Sequence, residues 1–171
     1  AAAEMRERLI RETGKKTIGR SLQIGTFHAV CMNFLKELGE EFSLIDSGEQ
    51  KAFAEEALEE TGLSMKTGEF LESVSRRKSG MTKTGMKSGM TESGIKAGIT
   101  EPGGGDDILW QQTVDRYEEK KRKAGLLDFD DLLLRTAERI RTGQVPDGWE
   151  KRFRYLLTDE FQDINPVQLE L

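Results

Sequence analysis

Cysteine is nearly missing from this chain. Cys31 stands alone among 171 residues, which excludes an internal disulfide and any multi-cysteine zinc site. No apolar run approaches the roughly 20 residues that a bilayer-spanning helix needs. The opening stretch AAAEMRERLI is not a signal peptide, because two arginines and two glutamates interrupt any apolar segment. A phosphate-cradling loop of the form G-x-x-x-x-G-K-[ST] is also lacking. The nearest stretch, LIRETGKK at 9–16, has no first glycine, puts Lys16 where Ser or Thr belongs, and follows a helical pattern rather than a strand. The expectation left by these absences is a cytoplasmic protein with no membrane contact.

What is present is charge. Charged residues make up 33% of the chain and apolar residues 36%, which suits a helical domain, or pieces of one, with a core of its own. The net charge of −5 argues against coating nucleic acid without specificity, but the sign is uneven along the chain. Six basic residues (Arg76, Arg77, Lys78, Lys83, Lys87 and Lys96) face a single acid, Glu92, between positions 76 and 96. A second cluster, KKRK at 120–123, follows Glu118 and Glu119 and reads as a helix-end charge cluster or a binding patch.

Periodicity predicts five or six helices and two short strands. AAAEMRERLIRETG reads as the tail of a helix ending near Gly14, and LQIG (22–25) as a β-compatible run. Thr26 caps a helix whose apolar face carries Phe27, Val30, Cys31, Phe34, Leu35 and Leu38. Ser47 and Gln50 fit a capping box for the next helix, closed by Gly62. A further helix from about Thr67 runs into SRRK. Later, Trp110, Val114, Tyr117 and Lys121 share one side of a helix ending at Gly125. Asp128 then caps LLDFDDLLLRTAERIRTG, with Phe129, Leu132, Leu133 and Ile140 inward and Asp130 and Asp131 as first-turn acids.

Between them, residues 79–105 form three nonapeptides, SGMTKTGMK, SGMTESGIK and AGITEPGGG, holding eight of the 18 glycines. Glycine at that density carries a large ordering entropy and buries little surface, so the repeat reads as a flexible excursion or as stacked turns.

The end of the chain, YLLTDEFQDINPVQ (155–168), is the most informative stretch. Tyr155, Leu156 and Leu157 read as a buried strand of a parallel sheet, and ligands bind beyond the carboxyl ends of such strands. Asp159 and Glu160 sit at that end. Adjacent carboxylates repel unless a cation or ligand compensates, and Asn165-Pro166 then starts a new helix. A strand ending in Asp-Glu suits nucleotide hydrolysis, one acid associated with magnesium and the other acting on the attacking water.

Four stretches in order extend this pattern: AAAEMRER (1–8), GTFH (25–28), LLDFDDLL (126–133) and TDEFQDINPVQ (158–168). Each resembles a motif of the UvrD/PcrA/Rep family of superfamily 1 DNA helicases: the end of motif Ia, motif Ib, motif Ic and motif II. The stretches FSLIDSGEQ and VSRRK resemble the family's connecting segments. The resemblance implies ATP and Mg2+ as cofactors. Asp159 would be the magnesium-associated acid and Glu160 the catalytic base, with Gln162 and Asp163 coupling the nucleotide to neighbouring elements. Thr26, Phe27 and His28 would lie on the single-stranded DNA track, although Phe27 equally suits the apolar core and His28 also suits a core or capping role. Arg76, Arg77 and Lys78 would contact phosphates.

The implied organisation is a partial RecA-like domain 1A at 1–40, a helical 1B insert at 41–125 that includes the repeat, and a return to domain 1A at 126–171. The fold class is then mainly α (α+β), with two short strands left from a RecA-like parallel sheet. The implied partners are single-stranded DNA, single-strand/duplex junctions and the remaining helicase domains 1A, 2A and 2B. Unpaired strand edges favour dimerisation or disorder. Implied activity is ATP-driven translocation and unwinding in repair or replication, with 3′-to-5′ movement. The phosphate loop and the second RecA-like domain would lie outside these residues, leaving them inactive alone. Two other classes remain open: a helicase-nuclease or other RecA-like ATPase, and a helical interaction module.

Overall fold

The computed structural model describes residues 2–14, 24–80, 105–152 and 157–171. Seven α-helices lie among them: α1 (Ala2–Thr13), α2 (Phe27–Glu37), α3 (Ser47–Thr61), α4 (Thr67–Lys78), α5 (Gly105–Ala124), α6 (Phe129–Arg141) and α7 (Pro166–Glu170). Two short strands, β1 (Ser43–Leu44) and β2 (Leu126–Leu127), pair in parallel with Ser43 opposite Leu126. Short 3-10 turns occupy Glu150–Arg152 and Phe161–Asp163. The fold class is the expected one, mainly α with a small parallel sheet.

The helix boundaries follow local chemistry. The Thr26 hydroxyl accepts from the Ala29 N–H at 3.2 Å and so opens α2. Gly62, at φ 74°, closes α3 in the left-handed region that an L side chain disfavours. Asp128 and Asp131 form a reciprocal capping box on α6, and Asn165 with Gln168 does the same on α7, where Pro166 takes the first position. The box on α3 is one residue earlier than expected. Asp46 accepts from Gly48 N and Glu49 N, and the Glu49 carboxylate accepts from Asp46 N. Asp outcompetes Ser47 there because its carboxylate reaches two amides at once.

The two described strands are not the ones expected at 22–25 and 155–157. They lie in FSLIDS and LLD. Ile24 and Gly25 belong to no strand, and Leu22 and Gln23 lie outside the described residues. Of the expected terminal strand, Phe153 to Leu156 lie outside the described residues, and Leu157 is 94% exposed and not in a strand. Most of the nonapeptide repeat, 81–104, also lies outside them.

Two apolar clusters organise the packing. The first joins α2, β2, α6, Trp149 and α7 through Cys31, Phe34, Leu35, Leu132, Leu133, Ala137 and Val167, with Phe34 edge-on to Trp149 at 5.2 Å. We call this group the base. The second joins α3, α4 and α5 through Ala54, Ala57, Leu58, Phe70, Val74 and Tyr117, with Phe70 edge-on to Tyr117 at 5.8 Å. We call it the three-helix layer. Full burial of a side chain such as Phe34 or Phe70 contributes roughly 2–3 kcal/mol. Leu132 and Leu133 turn inward as the periodicity predicts, but Phe129 is 59% exposed and Ile140 lies at the surface, with Thr136 and Ala137 buried instead. The inward face of α6 is therefore rotated away from its first residue.

Both chain crossings between base and layer run past the two strands. Ser43 N donates to Gly125 O, and Ile45 N to Leu127 O at 2.9 Å. The layer thus leaves and rejoins the base at one narrow joint.

Candidate nucleotide and nucleic-acid site

The acids predicted to handle nucleotide lie together on one exposed turn. Glu160 sits at φ 50°, ψ 45°, the single non-glycine residue with positive φ among the described residues. Such a backbone costs on the order of 1 kcal/mol and persists only where neighbours over-determine it. Here the Asp159 carboxylate accepts from Glu160 N at 3.0 Å, and Asp163 N donates to Glu160 O at 2.8 Å. The Gln162 amide donates to the Glu160 carboxylate. The structure therefore brings Asp159, Glu160, Gln162 and Asp163 onto a single tight turn, followed immediately by the Asn165 cap.

That geometry fits a magnesium–nucleotide group in its donor chemistry. Magnesium takes hard oxygen ligands and keeps much of its water, so an exposed carboxylate turn suits it. A glycine-rich phosphate loop is not among the 171 residues.

The DNA-facing candidates divide. Thr26 is exposed at the head of α2, and Phe27 packs against the base cluster. His28 is half-buried and meets Phe129 edge-on at 5.2 Å, so the GTFH and LLDFDD stretches touch. Burial lowers the His28 pKa, partly countered by the Asp130 charge. Burial in turn raises the Asp130 pKa, against a hydrogen bond from Ser75 of α4. Arg76 pairs with Glu72 at 2.9 Å, and Arg77 lies over the Trp110 ring at 5.0 Å and bonds Gln111.

Lys78 overturns its expectation. Its ammonium is turned inward onto Glu118 and Asp131, each at 2.7 Å, and Asp128 at 2.8 Å, and its side chain is 12% exposed. A nearly buried cation already paired with three carboxylates is not presented to a phosphate. Burial works against its charge, yet these carboxylates outweigh burial and hold the Lys78 pKa well above the usual lysine range.

Lys121, 1% exposed, joins the same group, with Asp131 at 2.7 Å and Glu118 at 3.0 Å, and it also bonds Asp128. Glu118, Asp128 and Asp131 have the spacing of a metal-binding acid trio, but two ammonium groups occupy that role. Asp128 and Asp131 are cap residues, as expected, and ion-pair residues as well. The signal for Lys121 was its place on the apolar side of α5. Of its partners, Glu118 lies on α5 itself, and Asp128 and Asp131, at the head of α6, carried no signal of the pairing. Nor did the apolar stripe disclose that Phe129 faces outward beside His28. KKRK is a helix-end cluster: Lys120 pairs with Glu56 and Glu60, and Lys123 with Glu119.

The family model described as the UvrD/REP helicase N-terminal domain matches residues 1–171. The chain belongs to that family. Among the relatives that align with all of it are three bacterial helicases. The ATP-dependent DNA helicase Rep of Salmonella typhimurium is 32% identical over 182 residues, which is 25% of that protein. The ATP-dependent DNA helicase UvrD1 of Mycobacterium leprae is 29% identical over 180 residues, 22% of its length. The ATP-dependent DNA helicase PcrA of Bacillus subtilis is 28% identical over 181 residues, 23% of its length. The chain thus spans about a quarter of the length of the curated relatives it matches. Membership in the UvrD/REP family accords with the four ordered motifs. None of the described helices is long and apolar enough to cross a membrane.

Proposed function

We propose that these residues are the part of an ATP-dependent DNA helicase that carries one wall of the nucleotide site and part of the single-stranded DNA track. The observation that carries the reading is the exposed turn on which Asp159, Glu160 and Gln162 converge, in a chain of the UvrD/REP family. Asp159 is the acid associated with magnesium, Glu160 accepts a proton from the attacking water, and Gln162 holds the Glu160 carboxylate in place. Asp163 couples this turn to the neighbouring helix. Bound magnesium supplies charge neutralisation of the phosphates.

Thr26 and His28, with Phe27 beneath them, contribute to the DNA track, and Arg76 and Arg77 supply phosphate contacts. Lys78 is withdrawn from that set. Residues 1–40 and 126–171 are read as parts of domain 1A and 41–125 as the 1B insert. The separate clusters and the paired strands at the joint support this division. Partners are single-stranded DNA, single-strand/duplex junctions and further helicase domains, with 3′-to-5′ movement.

The test is strand displacement by the gene product that carries these residues, on a fluorescent duplex with a 3′ single-stranded tail. The expected result is release of the labelled strand that requires both ATP and magnesium. ATP-independent release, or none under any nucleotide, would overturn the reading.

A further inference from the structure

The five-residue ionic knot lies where base and layer meet. Lys78 ends α4, and Glu118 and Lys121 come from the last turns of α5, where Lys121 also faces the Tyr117 ring at 4.9 Å. Asp128 and Asp131 come from the cap of α6, which belongs to the base. The covalent joint between the two parts is thin, a pair of two-residue strands. Apolar contact alone is non-directional and tolerates sliding, whereas charge-assisted hydrogen bonds fix geometry. Burying two cations against three carboxylates is a poor way to gain stability compared with apolar packing, and such groups are best explained where they select one arrangement.

We propose that Lys78 and Lys121 form a clasp on the Asp128–Asp131 cap that fixes the angle at which the three-helix layer stands on the base. The two lysines enter from the ends of two different helices of the layer, so the cap is gripped at two points and rotation about the strand joint is blocked. The capping box is part of the clasp: Asp131 N donates to Asp128 at 2.8 Å, and Asp128 N to Asp131 at 3.0 Å, which orients both carboxylates toward the ammonium groups. The clasp goes beyond the helicase reading and does not depend on it.

Pulsed electron paramagnetic resonance on the 171-residue chain tests it, with nitroxides on cysteines introduced at exposed Glu59 of α3 and exposed Glu138 of α6. Native Cys31 is buried at 2% exposure and stays unlabelled. The wild-type chain is expected to give one narrow distance peak. Asp131→Asn, which keeps the side-chain shape and the acceptor for Asp128 N, and Lys78→Met should each lose that single peak. Lys120→Met removes ion pairs of α5 to α3 inside the layer and should keep it. A peak that stays narrow in the clasp variants, or one that Lys120→Met broadens equally, overturns the proposal. If Lys78→Met fails to fold, Asp131→Asn decides alone.

Discussion

Replacing Lys121 by methionine removes one cation from the buried knot while keeping most of the side-chain volume. Its ammonium touches Glu118 and Asp131 at 3.0 and 2.7 Å and bonds Asp128, all in a region where its own side chain is 1% exposed. Breaking a buried ion pair by removing one partner costs about 3–5 kcal/mol, because the remaining charge is left without compensation. Lys78 still holds the same carboxylates at 2.7–2.8 Å, which keeps the loss near the low end, about 3 kcal/mol. At about 2–4 °C per kcal/mol for a chain of this size, the melting temperature should fall by roughly 6–12 °C. Thermal and urea denaturation followed by far-ultraviolet circular dichroism measure this directly. Lys120→Met, one residue away but paired with exposed carboxylates, should move the midpoint little. A Lys121→Met cost below about 1 kcal/mol, or a cost matched by Lys120→Met, would refute the buried-pair argument.

Three further outcomes are expected. Burial pushes the Asp128 carboxyl up, but Lys78 and Lys121 outweigh it and hold it at about 2 against an ordinary 3.8. The folded state therefore binds that proton less tightly than the unfolded chain. About 2 kcal/mol of stability, complete above about pH 5, should be lost as pH falls from about 4 to 2. Urea midpoints against pH check this, and an Asp128→Asn variant with an unchanged acid limb would contradict it. Gly80→Ala should destabilise by about 1–2 kcal/mol, since an L side chain is disfavoured at positive φ. Gly80 sits at φ 72°, and a methyl group there would lie 3.2 Å from the Pro166 Cβ, so a neutral urea midpoint would be the wrong result. Single-stranded DNA binding by residues 1–171 should be weak and strongly salt-dependent, because it rests on a few phosphate contacts. Submicromolar affinity persisting at high salt in a fluorescence titration would exclude that basis.

Elements with strong local signals were legible in the sequence. Thr26, Gly62, Asp128 and Asn165 mark helix ends by side-chain and backbone chemistry that acts within a few residues, and each is where the pattern predicts. Tertiary choices were not. Lys78 looks like one member of a basic run, and only the approach of α5 and α6 turns it inward. Phe129 fits an apolar stripe, yet the cap geometry leaves it outside, against His28. The strands at 43–44 and 126–127 are too short for alternation to show, and their pairing depends on residues far apart in the chain. Within the candidate site, the motif pointed to the acids, but the left-handed Glu160 and the Gln162 bond are matters of backbone geometry that no residue pattern displays.

The central claim is that Glu160 acts on the water that attacks ATP. It is tested most directly by steady-state ATP hydrolysis and nucleotide binding in the gene product carrying these residues, with and without Glu160→Gln. The account predicts DNA-stimulated, magnesium-dependent turnover that falls by about 100-fold or more in the variant, with nucleotide affinity retained. Turnover undiminished by Glu160→Gln would contradict it.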